Sequence, residues 1–133
     1  MTDGAGKTRG VGATNRKAMD VQIFGNQKSA DTRKALRFFK ERRVNVHFVD
    51  LKIRPASKGE LTRFAQKFGV ETLLDRDSKR FQELGLGVAH YSDKVWLAKL
   101  VEEPLLLRMP LVRFQKLLTI GLSEDAWRDW TGT

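Results

Sequence analysis

Ser29 is the residue whose type and position could do chemistry. It closes a short polar loop, Gly25-Asn26-Gln27-Lys28, and stands immediately before a segment with helical spacing. Backbone N–H groups and the helix dipole at such a junction favour an anion or a nucleophile of lowered pKa. Lys28 and Arg33 flank it with positive charge. A serine hydroxyl needs an adjacent base before it can attack, and no base stands beside Ser29 in the sequence. Its plain role is that of an N-cap, worth ~1 kcal/mol over alanine. The chain has no cysteine, which excludes disulfides, thiolate metal sites and thiol catalysis by the chain itself. The only histidines, His47 and His90, do not suggest a metal site, and His47 falls on the polar alternation of a strand as a surface residue.

The elements that position Ser29 lie between Val21 and Asp50. An apolar run ends at Phe24, and Gly25-Asn26 breaks it. From Ala30 the spacing predicts a helix with Ala35, Phe38 and Phe39 on one face. Val44, Val46 and Phe48 alternate with Asn45, His47 and Val49 and predict a second strand, completing a βαβ unit. Ser57 with Glu60 forms a capping-box pattern for a helix that ends at Gly69 and buries Leu61, Phe64, Ala65 and Phe68. Short helices are expected over Asp77–Leu84 and Ser92–Leu100. Beyond Pro104 and Pro110, Leu111–Arg113 and Lys116–Ile120 read as a hairpin turning at Phe114-Gln115. Ser123 is expected to cap a last helix, with Trp127 in the core.

The 133 residues suffice for one domain with a real core. With 25 Lys and Arg against 16 Asp and Glu, the formal net charge is +9. That balance suits nucleic acid or an acidic protein surface. The cations are scattered and have few aromatic neighbours on which bases would stack, so plain solubility is the competing explanation. Residues 1–19 hold four glycines and are expected to form a flexible tail. Gly6-Lys7-Thr8 lacks the earlier glycine of a phosphate-binding loop, since position 1 is methionine. No apolar run approaches the ~18 residues of a membrane span, and the N-terminus lacks the apolar core of a signal peptide, so a cytoplasmic location is expected.

ADTRKALRFF (30–39), LLDRDSKRFQELGL (73–86), EEPLLLRMPLVR (102–113) and TIGLSEDAWRDW (119–130) together resemble the ArsC/Spx family, the arsenate-reductase-like branch of the thioredoxin fold. The resemblance implies an α/β domain over 20–133: a four-stranded mixed sheet flanked by helices, with a helical insert at about 57–103. It also implies a cis bond before Pro110, facing the loop of Ser29. Ser29 occupies the family's cysteine position, and Thr32 the second cysteine position of Spx-type members. Asp75 stands where reductases have an oxyanion-binding arginine. Met109 replaces the arginine before the proline, with Arg108 one place back. The anion- or thiol-binding candidates are therefore Lys28, Ser29, Arg33, Arg108 and Pro110, with glutathione as the thiol that could bind and no metal. Two functions compete. One is a redox-inactive binding or regulatory module, with the C-terminal domain of the RNA polymerase α subunit as first partner and nucleic acid drawn by the positive charge. The other is an arsenate-reductase-like, glutathione- and glutaredoxin-dependent enzyme whose catalytic cysteine, naturally or by substitution, is here Ser29.

Overall fold

The computed structural model describes residues 19–132. The expected tail and the Gly6-Lys7-Thr8 segment lie outside the described residues, apart from Met19, which packs against the sheet. Strands β1 (Asp20–Gly25), β2 (Asn45–Asp50), β3 (Leu111–Phe114) and β4 (Leu117–Ile120) form one sheet in the order β2-β1-β3-β4. β1 runs parallel to β2, in register from Asp20 opposite Asn45 to Gly25 opposite Asp50, and antiparallel to β3. The parallel pair needs a crossover, which helix α1 (Ala30–Glu41) supplies.

Alternation along β1 assigns the two faces. Val21 and Ile23 point to a layer built from α1 and from α5 (Glu124–Thr131), where Phe38, Phe39 and Trp127 are buried together. The ring of Trp127 lies 5.5 Å from Phe38 and 5.4 Å from Phe39, and its indole N–H donates to the Thr119 hydroxyl at 2.9 Å. Phe24 points the other way, into a larger core with Phe64, Phe81, Trp96 and Leu100. That core belongs to α2 (Lys58–Phe68), α3 (Lys79–Glu83) and α4 (Asp93–Glu102), joined by single turns at Val70–Leu73 and Pro104–Leu106. The expected sheet with helices on both faces is present. Because both faces are covered, Val49 is buried in the second core although the alternation had placed it with the polar residues.

A clasp closes the part of the insert that carries α3 and α4. Leu74 bridges Leu107, the amide of Asp75 donates to Leu106 O at 2.9 Å, and that of Arg108 donates to Leu73 O at 2.8 Å.

Two local expectations fail for physical reasons. The hairpin turns at Gln115-Lys116, one place later than expected, because Phe114 pairs with Leu117 and is needed in the core, stacked on Trp130 at 5.8 Å. Gln115 takes the left-handed φ of 58° that this turn demands. Ser123 sits at the start of α5, but its hydroxyl donates back to Ile120 O and Gly121 O, both at 3.5 Å, and caps nothing. The Ser57–Glu60 capping box is complete, with bonds of 2.9 and 3.1 Å.

Candidate functional site

The loop between β1 and α1 is shaped by Asn26, which is nearly fully buried. Its side-chain oxygen accepts from the Lys28 amide at 2.8 Å and its carbonyl from the Ser29 amide at 2.9 Å, closing a turn of the kind asparagine favours. Ser29 then adopts extended angles, φ −82° and ψ 120°, and its Oγ accepts from the Thr32 amide at 3.1 Å. That is an N-cap. Among the described residues no side chain takes the hydroxyl proton of Ser29, so nothing activates it.

Thr32 is wholly buried and packs against Gly25, where any Cβ would come within 2.4 Å of Thr32 Oγ1. The Thr32 hydroxyl has no hydrogen-bond partner. Strand end and helix start thus approach so closely that only glycine fits between them.

Lys28 and Ser29 open onto a cleft of about 610 Å³ between this loop and the insert. Asn26, Asp31 and Lys52 line the same side; Asp75, Lys79, Arg80 and Glu83 face them, with Leu105, Leu107 and Met109 as the apolar wall. The Met109–Pro110 bond is cis. Arg80 is already committed. Its Nε and Nη2 donate to one Glu103 oxygen at 2.8 and 2.6 Å and its Nη1 to Glu83 at 3.3 Å. Hydrogen bonds to Glu103 and then to Glu83 raise its pKa further. The cleft therefore carries both signs of charge and, among the described residues, presents no unengaged arginine fork, the usual device for gripping an oxyanion bidentately.

Of the five candidates read from the sequence, the fold brings two, Lys28 and Ser29, to the cleft. Arg33 donates to Gln27 O at 2.6 Å and braces the loop from outside. Arg108 reaches the carbonyls of Thr72 and Leu74, both at 3.3 Å, and so belongs to the clasp. Pro110 is buried, and its carbonyl accepts from the Gly121 amide at 2.8 Å. Asp75 and Met109 do line the cleft, at the places where the resemblance had expected arginines. Lys52 and Arg80 went unnoticed in the sequence, since neither has a local pattern and both arrive by long-range packing.

The neighbouring Arg76 makes no contribution to the cleft either. It holds Glu71 through bonds of 2.5 and 3.1 Å, bonds Ala89 O at 3.0 Å, and lies 5.3 Å from the Trp96 ring. The hydrogen bond from Arg76 is the leading reason that the Glu71 carboxyl sits below its ordinary pKa. Among the described residues no group of three or more His, Asp or Glu side chains could hold a metal. No helix there is long and apolar enough to cross a membrane.

A sequence model of the ArsC family matches residues 24–130. The global transcriptional regulator Spx of Streptococcus pyogenes is 28% identical over 110 residues, which covers 81% of this chain and 82% of that protein. An arsenate reductase from Vibrio cholerae superposes with a TM-score of 0.70 at 24% identity, over 81% of this chain and 94% of its own. An arsenate reductase related protein from Brucella melitensis superposes with a TM-score of 0.62 at 20% identity, over 93% of this chain and 100% of its own. At such identities the two solved structures speak for the fold alone.

Proposed function

The chain belongs to the ArsC family, and from that premise we propose that it is a redox-inactive member that works by binding a protein partner rather than by thiol chemistry. One observation carries this reading. The hydroxyl at the family's nucleophile position is used as a helix cap, accepting from the Thr32 amide at 3.1 Å, in a chain without a single cysteine. A serine so placed has no base to activate it. It also cannot form the mixed disulfide through which thiols exchange electrons. Similarity to a global transcriptional regulator supports a regulatory role. The first candidate partner is the C-terminal domain of the RNA polymerase α subunit, met in the cytoplasm.

The test is an affinity pull-down from lysate with nuclease present, washed at low and then moderate salt. Retention of RNA polymerase subunits through both washes supports the reading. Loss of every protein at moderate salt overturns it.

The second reading, a glutathione- and glutaredoxin-dependent reductase with cysteine at position 29, is favoured by the open cleft of about 610 Å³ that Ser29 still faces. There Lys28 and Lys52 would meet a glutathione carboxylate. Helix N-terminal amides and Lys28 would lower the pKa of a thiol installed at that position. Ser29→Cys with glutathione and glutaredoxin is expected to reduce arsenate or a disulfide if this reading holds. An inactive, folded Ser29→Cys protein removes it.

A further inference from the structure

Net charge alone says nothing about where cations gather, and in the sequence they look scattered. The fold collects one set of them. The buried face of α1 is Thr32, Ala35, Phe38 and Phe39, so its solvent face is left to Arg33, Lys34, Arg37, Lys40 and Glu41. Among the described residues Lys34, Arg37 and Lys40 make no ion pair. This row continues into a shallow groove of about 310 Å³ between α1 and α5, to which Arg42 and Arg128 add positive charge and Glu41 and Glu124 negative charge. Arg42 is fixed in place by its bond to Phe38 O at 3.1 Å and by the Phe38 ring 3.6 Å beneath its guanidinium. Arg128 is braced by Asp125 at 2.5 Å.

We propose that the solvent face of α1, through Lys34, Arg37 and Lys40, is a contact surface for the phosphate backbone of double-stranded DNA. From Lys34 to Lys40 the helix rises about 9 Å. Duplex phosphates recur every ~3.4 Å of axis along each strand, so the row faces two or three of them at once. An acidic protein fits less well. The exposed row itself contains no large apolar residue, and the groove beside it offers Leu122 as its one exposed apolar side chain among the described residues, less than the cluster of buried anchors on which protein interfaces depend. Single-stranded nucleic acid also fits less well, because no exposed aromatic on this face offers a stacking platform. The contact carries no base readout: it adds affinity and orientation, not sequence preference.

The surface lies on the α1–α5 side of the sheet, away from the α2–α4 insert. The choice of DNA over double-stranded RNA rests on the regulatory reading above. The surface itself does not, so the two can fail separately: the pull-down, done with nuclease, reports protein contacts only, and the following experiment contains no other protein.

Binding of the purified full chain to a short, labelled, random-sequence DNA duplex is followed by fluorescence anisotropy across a range of salt concentrations. Two triple variants are compared, Lys34→Gln/Arg37→Gln/Lys40→Gln and, on the insert side, Arg63→Gln/Lys67→Gln/Lys94→Gln, which removes the same net charge. All six positions are exposed, and circular dichroism checks that both variants fold. The α1 triple is expected to weaken binding about tenfold at low salt and to make the plot of log K against log salt shallower by about three, one per cation removed. The insert triple is expected to change affinity less than about twofold. Equal loss in both triples overturns the proposal, because charge alone would then account for the binding. So does failure of the unsubstituted protein to bind the duplex, tighter binding to duplex RNA, or displacement of the duplex by poly-glutamate at lower concentration than by unlabelled DNA.

Discussion

Ser29→Ala removes the side-chain oxygen that accepts from the Thr32 amide and leaves that amide, on a buried residue, without its partner. Chemical denaturation is expected to show a loss of about 1 kcal/mol, the usual cost of a vacated N-cap. The buried contact behind it is less forgiving. A methyl group at position 25 would press on both Thr32 Oγ1 at 2.4 Å and Thr32 Cγ2 at 2.7 Å, and neither can retreat, because a β-branched side chain on a helix is held at χ1. Gly25→Ala is therefore expected to cost about 1–3 kcal/mol by overpacking, read as a lower denaturation midpoint with unchanged slope. Local sequence logic was enough to find Ser29: a strand, a Gly-Asn break and a helix start name the junction. It was not enough for the arginines. A sequence gives the spacing of Arg33 and Arg108, while their direction depends on which carbonyl lies nearest, Gln27 O for one and Thr72 O and Leu74 O for the other. Asp75 was expected from the alignment of its block and does reach the cleft wall, since a backbone position carries over more faithfully than the aim of a long, flexible side chain.

At the scale of an element, α2 shows how a cap couples to pH. Burial pushes the Glu60 carboxyl up, but the Ser57 amide and hydroxyl and then Arg54, 3.5 Å away, outweigh it, so the pKa in the folded chain lies below the ordinary carboxylate value. A carboxyl whose pKa is depressed on folding stabilises the fold above its unfolded pKa, and that stabilisation is lost as pH falls through the folded one. Glu60→Gln is expected to lower the melting temperature near neutral pH, with the difference from the unsubstituted protein vanishing on acidification. A gap that stays constant down to strongly acidic pH would contradict this. The β3–β4 hairpin offers the opposite opportunity. Gln115 holds a left-handed φ that costs a side-chain-bearing residue about 1–2 kcal/mol, while the backbone oxygen that Arg113 uses at 3.0 Å does not depend on the side chain. Gln115→Gly is expected to raise stability by up to about 1 kcal/mol in thermal or chemical unfolding. The hairpin was legible as two strands but not in register, because Phe114 reads equally well as a turn residue or as the last core position. Only its partner across the core, Trp130, decides.

At the scale of the molecule, two apolar cores lie on opposite faces of one four-stranded sheet, and β1 and β3 contribute residues to both. A core that shares its strands with its neighbour cannot dissolve alone. Unfolding monitored by tryptophan fluorescence and by far-ultraviolet circular dichroism is expected to give coincident transitions, and separated midpoints would show that the insert melts on its own. The layer order was readable in advance because periodicity survives at this scale: period two in the strands, 3.6 in the helices, and four sequence blocks in a fixed order. The clasp was not readable, since its backbone bonds join Leu73 and Asp75 to residues more than thirty positions onward, and the Arg108 side chain that reinforces them reaches carbonyls that carry no side-chain signal. That clasp makes the stretch carrying α3 and α4 a closed loop with its neck tied beside the cleft, and Arg76 at the neck draws in the exposed bend at Gly87-Val88 by donating to Ala89 O at 3.0 Å. Closing a longer loop costs only logarithmically, about 0.6 kcal/mol per doubling. Extra residues in that bend would therefore cost little closure entropy while the clasp kept the neck the same width, and the opening that Ser29 faces would keep its dimensions although the outline beyond it had grown.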